Sequence, residues 1–278
     1  QIDRIPGVKP FVLCLHRIAK VSPRFVTSLH DRERPHYYGG NRYKQRLLWD
    51  EVWRRFIRVA DQMDHEYVGR ALWSLSRLEL MSSNVKLVQT LDTRAADVVQ
   101  FLSPTHMTQI LWSHASIHFS PIRELFPALC AHVETTSELY EPRALSQTLW
   151  SVAKLAFNRM ALTVNGTSSE RFRRIVTLLA ERMAARASQG NTQDVSNALW
   201  ALAKMETKLD PQTVNDIVAP FMTSNMTFSK QDTANIVWSL GRLKLVYYGE
   251  PAHDLGCRDD EDDRHRHHHD HRPHHHHY

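Results

Sequence analysis

A short segment between residues 32 and 46 alternates cationic side chains with aromatic rings. Cations of this kind pair with phosphates and tyrosine rings stack on unpaired bases, so the composition is typical of an arm that contacts single-stranded RNA. Two adjacent glycines, Gly39 and Gly40, leave the backbone of the arm free to bend. A solvated loop between two helical units is an equally good interpretation. The candidate RNA contacts of the arm are Arg32, Arg34, Tyr37, Tyr38, Arg42, Tyr43, Lys44 and Arg46.

A second set of polar residues recurs three positions before, and four positions after, each of five tryptophans. We call it the polar lane. Its amides have the chemistry of base-edge recognition and its cations that of phosphate binding. The alternative, which we favour slightly, is that the amides hydrogen-bond to the backbone of neighbouring units, as buried amides in a packed array must. The lane residues that we assign as weaker RNA contacts are Arg70, Arg77, Gln109, Gln147, Lys154, Asn197, Lys204, Asn235 and Arg242.

The sequence offers no arrangement of residues with the spacing of a catalytic or metal site. The motifs GxxxxGK[ST], GxSxG, HExxH and GxGxxG are all absent. Cys14, Cys130 and Cys257 stand far apart without a CxxC pair, which argues against a disulfide framework and a zinc module. No apolar run approaches the roughly 18 to 20 residues of a membrane span. We therefore expect no enzymatic activity, no cofactor, no bound metal and no membrane association.

The elements that position the polar lane form an internal repeat. The separations between consecutive tryptophans are 39, 38, 50 and 38 residues, so one unit of about 38 residues recurs. The longer third interval predicts an inserted loop over residues 158–170, where Asn165 and Gly166 interrupt the helical pattern. The five aligned tryptophans are Trp73, Trp112, Trp150, Trp200 and Trp238.

Each repeat reads as a pair of helices. At about 100° per residue, the aliphatic residue before each tryptophan belongs to one apolar stripe, and small residues four before and three after it form a face that lets another helix approach closely. We expect the tryptophans themselves to pack in the core. Second helices are predicted over 84–99, 122–139, 172–187 and 211–225, with helix starts at Ser103 and Ser229. A single hairpin cannot bury its stripe, so the units must stack.

The predicted fold is therefore all-α: a right-handed α-solenoid of about five to six stacked helical hairpins. Residues 1–62 form a basic arm and a degenerate capping repeat, residues 63–248 the five-repeat solenoid, and residues 249–278 a His- and Asp-rich tail of the composition typical of solvated disorder. The net charge of +5 comes from the first part, because residues 1–60 carry a balance of +8 and residues 61–252 a balance of zero. A polyanion should meet the amino-terminal end first.

The segments LWSVAKL and LWALAKM resemble the octotricopeptide-type helical repeats of organellar RNA-binding proteins, and the related repeats of Fas-activated kinase-like and apicomplexan RAP-domain proteins. The resemblance covers roughly residues 65–245. It implies a protein of mitochondria, or less readily of plastids, that binds RNA through stacked hairpins. Many members end in a RAP domain, for which the 40 residues after Trp238 leave no room, so we expect neither that module nor a processing activity.

These features together predict an organellar RNA-binding protein that acts as a structural subunit of a large ribonucleoprotein. The assembly that we favour is the mitochondrial ribosome, where the chain would bind rRNA beside other protein subunits. Two alternatives remain open. One is a protein–protein scaffold or accessory subunit of a mitochondrial complex, consistent with the neutral solenoid. The other is a free factor that stabilises or matures particular transcripts.

Overall fold

The structure, a computed structural model, describes residues 8–21, 53–54, 56–117, 119, 121, 124–157, 168–222 and 227–247. Regular secondary structure in these ranges is helical, with no strand, which confirms the all-α class. Residues 56–59 are helical and continue into the 3-10 turn Ala60–Gln62. The longer helices are α1 (Val8–Val21), α2 (His65–Arg77), α3 (Val85–Asp97), α4 (Pro104–Ser116), α5 (Leu125–Thr136), α6 (Pro142–Phe157), α7 (Ser168–Arg186), α8 (Thr192–Lys204), α9 (Pro211–Met222) and α10 (Lys230–Tyr247).

These helices lie in two rows. Helices α1, α2, α4, α6, α8 and α10 pack side by side in sequence order, and each of the last five carries one of the repeat tryptophans. We call this the tryptophan row. Helices α3, α5, α7 and α9 form a second row in the same order, and α2–α3, α6–α7 and α8–α9 also contact each other as hairpins. The stacked helical hairpins that the repeat predicts are confirmed.

The apolar stripe lies between the rows, as predicted. The aliphatic residue before each tryptophan is buried in four of the five repeats, at Leu72, Leu111, Leu149 and Leu199. In the fifth repeat the same position, Val237, is 66% exposed, because no described helix packs on the far side of α10. Burial of the stripe thus depends on having a neighbour, which is the reason that such repeats stack.

The expectation that the tryptophans pack in the core is confirmed only in part, because Trp73, Trp150 and Trp200 pack against the core from its edge without being fully buried. Trp73, Trp112, Trp150 and Trp200 are half-buried, and Trp238 is 38% exposed. The position of the indoles around the helix explains their exposure. The stripe residues, which stand one before and two and five after each tryptophan, project about 150° away from the indole. When the stripe is buried, the ring therefore lies near the surface of the row. The solenoid is held by its aliphatic seams, with the indoles at the edge.

The small-residue face is confirmed as the contact between neighbouring helices of the tryptophan row. A Cβ added at Gly69 of α2 would lie 3.2 Å from Cβ of His106 on α4. The Oγ atoms of Ser76 and Ser116, from the same two helices, are 2.7 Å apart. Short side chains at these positions therefore set the separation of the helices.

A bulky residue at Gly69 should consequently force α2 and α4 apart. We expect Gly69→Leu to lower the free energy of unfolding by about 1–3 kcal/mol, the usual cost of overpacking. The matched control is Gly241→Leu on α10. No atom lies within 4 Å of a Cβ built there, so replacing a helical glycine should raise stability by about 0.5–1 kcal/mol. Urea unfolding followed by circular dichroism measures both, and equal effects would contradict the role of the small-residue face.

The hairpins are tied at equivalent places by a hydrogen bond that sequence reasoning missed. A side chain of the second-row helix donates to the carbonyl oxygen just before the preceding tryptophan-row helix begins. Arg94 Nε donates to Met63 O at 2.6 Å and Arg186 Nη1 to Tyr140 O at 2.6 Å. His132 Nε2 lies 2.9 Å from Leu102 O in the hairpin between them. Each bond satisfies a backbone acceptor at a helix end.

The helix starts follow the sequence closely. The Ser103 hydroxyl accepts a hydrogen bond from the backbone N–H of His106, and the Ser229 hydroxyl accepts one from that of Asp232, so both predicted N-caps are confirmed. Asn191 and Asp194 form a reciprocal capping box at α8. These caps supply acceptors for the first free N–H groups of the helices.

Several predicted features lie outside the described residues. These are the arm over residues 32–46, residues 158–167 of the inserted loop and the tail over 249–278. Residues 168–170, the end of that predicted loop, belong instead to α7. Within the described ranges no helix is long and apolar enough to cross a membrane. Cys14 is exposed, whereas burial raises the pKa of Cys130 on α5 to about 12.

Candidate nucleic-acid interface

An open groove of about 810 Å³ crosses the amino-terminal half of the tryptophan row. It is lined by side chains of α1, α2, α4 and α6 together with residues just before α6. Three lane residues, Arg77, Gln109 and Gln147, line it with two of the repeat tryptophans. The groove therefore brings together tryptophans, which the sequence analysis assigned to the core, and polar lane residues, which it assigned to RNA contact.

Aromatic rings form a continuous row along the groove. The His16 ring lies 4.8 Å from the Trp73 ring, and the Trp73 ring lies 6.3 Å from that of Trp112 with 34° between the planes, all measured between centroids. The Arg77 guanidinium lies 6.0 Å from the Trp73 ring. Burial and the nearby cations Lys20 and Arg70 lower the pKa of His16, so its ring is neutral at physiological pH and stacks as an aromatic surface.

The amide oxygen of Gln109, whose side chain lines the groove, lacks a hydrogen-bond donor among the described residues. This Oε1 atom is buried. Gln147, one repeat later, lines the groove at the corresponding lane position. A buried acceptor without a donor is uncommon in proteins, so turning this amide toward the groove, where a ligand can donate to it, would relieve an unfavourable state.

Farther along the row, Lys154 continues the same arrangement outside this groove. Its Nζ lies 5.8 Å from the Trp150 centroid and 5.5 Å from the Trp200 centroid, so one ammonium bridges the rings of two successive repeats. Asn197 and Lys204 of α8 are half-buried. Cation and indole thus alternate across α6 and α8, a pattern that suits phosphates and bases of a single strand.

Other lane residues are engaged within the protein. Asn235 Nδ2 donates to Ser196 Oγ of the preceding repeat at 3.3 Å. This contact supports the alternative that lane amides hold neighbouring units together, although its acceptor is a side chain and not the backbone. Arg70 lies 3.9 Å from Glu66, one turn earlier on α2. Arg242 likewise pairs with Glu206 of the preceding repeat.

The second row has a different electrostatic character. Arg171 on α7 donates to Glu134 on α5 at 2.7 Å, and Arg174 reaches the same carboxylate at 3.3 Å. These hydrogen bonds hold the pKa of Glu134 below its usual range. Arg182 and Arg186 pair in the same way with Glu138. Cations of this row are largely matched by carboxylates, so a polyanion is better accommodated on the tryptophan row.

Sequence reasoning missed several residues of the groove. His16 and Lys20 come from α1, which the sequence treats only as a capping unit, and Arg143 lies one turn before the polar lane begins on α6. The tryptophans were assigned to the core. Around the helix, each tryptophan lies about 40° to 60° from the polar lane and about 150° from the apolar stripe. This angle predicts that the indoles lie near the surface.

The described side chains include no group of three or more His, Cys, Asp or Glu that could hold a metal ion. The interface is instead composed of indoles, amides and cations, which bind through stacking, hydrogen bonds and charge. The arm residues Arg32 to Arg46 lie outside the described ranges, so the structure leaves their relation to the groove as a prediction.

Comparison with known families gives one match. The family model described as RESC6, RNA-editing substrate-binding complex 6 protein, matches residues 26–210. This span begins before the arm and ends after α8, and it includes all of the groove except the two residues from α1. No curated protein matches the chain.

Proposed function

The chain belongs to the family of RESC6, the RNA-editing substrate-binding complex 6 protein, and on that premise we propose that it is an RNA-binding subunit of a mitochondrial RNA-editing complex. The observation that carries the proposal is that the family match includes both the cationic arm and most of the aromatic groove. Half-buried indoles beside amide and cationic groups are what a surface for single-stranded RNA requires. The proposed role is binding, and no chemical step is assigned to this chain.

The family name concerns the substrates of RNA editing, so we propose that the bound RNA is such a substrate and not rRNA. The mitochondrial ribosome, favoured by the sequence, becomes the alternative that the experiment must separate. The octotricopeptide-type resemblance also remains a prediction, since the matching family model has a different description.

A protein–protein scaffold is the second candidate, and the carboxy-terminal end of the solenoid favours it. On α10, Val237 is 66% exposed and Trp238 is 38% exposed, at positions that are better covered in the earlier repeats. Ala234 and Gly241, the small residues of that helix, are exposed as well. This end could accept another helical protein, so the complex would contact the chain there while RNA occupies the groove.

Ultraviolet crosslinking of the tagged full chain in mitochondria, followed by sequencing of the bound RNA, tests the proposal. We expect crosslinks to transcripts that undergo editing, and co-purification with other subunits of an editing complex. Enrichment of rRNA together with salt-resistant sedimentation with a ribosomal subunit would instead support the ribosome. Absence of RNA crosslinks, with protein partners retained after RNase treatment, would support the scaffold.

The arm can be tested by charge reversal. Replacing its five cations by glutamate should weaken RNA binding and reduce the slope of log K against log salt concentration by about 3 to 4, because each lost phosphate contact contributes about 0.7 for single strands. Binding is measured by fluorescence anisotropy at several salt concentrations. Reversal of exposed Lys86 and Lys208 is the control for net charge. An unchanged slope would show that the arm does not contact RNA. The reversed residues are Arg32, Arg34, Arg42, Lys44 and Arg46.

A further inference from the structure

The groove has a defined place where one nucleotide can be held. Gln109 and Trp112 stand one turn apart on α4, and Gln147 faces the same groove from α6. Residues three apart on a helix project from the same side, so an amide and an indole converge there. This arrangement differs from the rest of the row, where Lys154 lies between the indoles of Trp150 and Trp200.

Trp112 is the end of the aromatic row on the side toward α6. The row begins at His16 and passes through Trp73, whose ring contacts both neighbours. The 6.3 Å between the centroids of Trp73 and Trp112, with 34° between the planes, is the spacing of two rings in direct contact, so no base lies between them. A base that joins the row therefore stacks beside Trp112 and not between the two indoles.

Hydrogen bonding distinguishes this place from a merely apolar surface. Gln109 Oε1 is buried and has no donor among the described residues. Adenine, cytosine and guanine carry exocyclic amino groups that can donate to it, whereas uracil donates only from its ring N3–H, which lies between two carbonyl oxygens that repel the amide oxygen. An unfilled buried acceptor next to an aromatic platform thus favours bases with an amino group.

Charge completes the site. Lys20, Arg77 and Arg143 line the groove against a single carboxylate, Glu141. Cations on three different helices suit the phosphates that flank one nucleotide, since each phosphate of a strand carries one negative charge. An acidic peptide could use the same cations, but it would have no need of the indole or of the amide acceptor.

We propose that the groove binds single-stranded RNA with one amino-bearing base stacked on Trp112 and hydrogen-bonded to Gln109 Oε1, its phosphates lying against Lys20, Arg77 and Arg143. This inference rests on the proposed function and names the site through which that function is performed. The base preference is a property of Gln109 in this chain, so it can be removed without removing the groove.

The test measures binding of fluorescein-labelled 12-nucleotide oligo(A) and oligo(U) to the full chain by anisotropy. We expect Trp112→Ala to weaken oligo(A) binding about 5- to 150-fold, the range for loss of one base–aromatic stack, and Trp112→Tyr to restore most of it. Trp238→Ala is the matched control, since Trp238 occupies the same repeat position on α10, outside the groove. It should change binding less than twofold, and circular dichroism verifies that each variant is folded.

Gln109→Leu separates reading of the base from stacking. It removes the acceptor and keeps the volume, so the ratio of oligo(A) to oligo(U) affinity should fall toward one while oligo(U) binding stays nearly unchanged. A double-stranded RNA of the same length should bind worse than oligo(A), because its bases are not free to stack.

Three results would overturn the inference. Wild-type oligo(A) binding that Trp112→Ala leaves intact would exclude the groove while leaving RNA binding, and hence the proposed function, in place. Equal losses in Trp112→Ala and Trp238→Ala would show that no single site exists. Wild-type chain that binds neither oligonucleotide, but binds labelled oligo-glutamate, would overturn both the site and the proposed function in favour of an acidic protein partner.

Discussion

Replacing Asp92 by alanine is expected to lower the free energy of unfolding by about 1–3 kcal/mol, the usual cost of leaving a buried hydrogen-bonding group without its partner. Asp92 of α3 and His114 of α4 are both fully buried, and His114 Nε2 lies 2.9 Å from Asp92 Oδ1. The other ring nitrogen, Nδ1, lies 3.1 Å from the carbonyl oxygen of Phe119. Alanine at position 92 leaves the imidazole buried without its carboxylate acceptor.

The pair joins one hairpin to the next, so its loss should loosen the contact between repeats. Urea unfolding of the isolated chain measures the effect. Asp97→Ala, at an exposed position on the same helix, is the matched control and should change stability by no more than about 0.5 kcal/mol. The double variant Asp92→Leu with His114→Leu should recover much of the loss, because neither polar group is then left unpaired. A loss at Asp92 below about 1 kcal/mol would mean that the pair does not hold the repeats together.

Leu199→Ala is expected to cost about 2–5 kcal/mol, because it removes a fully buried aliphatic side chain and leaves a cavity. Leu199 precedes Trp200 on α8, and α8 packs between α6 and α10 in the tryptophan row. The surroundings of Leu199 are thus fixed by a helix on each side. Such a site collapses poorly around a cavity, which places the cost in the upper part of the range.

Val237 supplies the control for this second prediction. It occupies the same repeat position, one before Trp238, but is 66% exposed on α10. We expect Val237→Ala to change stability by less than about 0.5 kcal/mol. Thermal and urea unfolding of both variants measure the contrast. A large loss at Val237 would mean that another part of the chain covers α10, and similar losses at both positions would contradict the account of burial through stacking.

Most of the fold could be predicted from the sequence, because its local signals agree with each other. Ser103 and Ser229 cap helices where the sequence predicts, and the second-row helices α3, α5 and α9 lie within the predicted ranges to a few residues. Small residues identify the face where helices of the tryptophan row meet, as Gly69 and Ser76 show. The periodic pattern predicts these helices and contact faces because the same pattern recurs in five repeats.

The partial exposure of the tryptophans was predictable from their position around the helix. Large aromatic side chains are usually buried, and that general tendency outweighed the wheel position of the indoles. The structure shows the position to be decisive, since Leu72 is fully buried while Trp73 beside it is half-buried. Residue type predicts burial on average, whereas the angle around the helix predicts it for a particular side chain.

The groove could be predicted only in part. Gln109 and Gln147 are identified by their shared position three before a repeat tryptophan, and Arg77 by its position four after one. The sequence could not tell that Gln109 Oε1 lacks a donor while Asn235, at the same position, donates to Ser196. That difference depends on how far neighbouring helices are offset along their axes. The contributions of Lys20 and Arg143 likewise depend on the packing of α1 and α6 against the row.

Helices of the tryptophan row touch the helix before and the helix after, and this neighbour-to-neighbour contact has a consequence for motion. Cooperativity in such an array decays with distance, so opening at one end does not require the middle to open. Helix α10 has one row neighbour among the described helices, while α4 and α6 have two each. Amide hydrogens should therefore exchange with solvent soonest at α10 and last around α4 and α6. The groove then belongs to the most persistent part of the molecule, and the exposed end to the part that yields first.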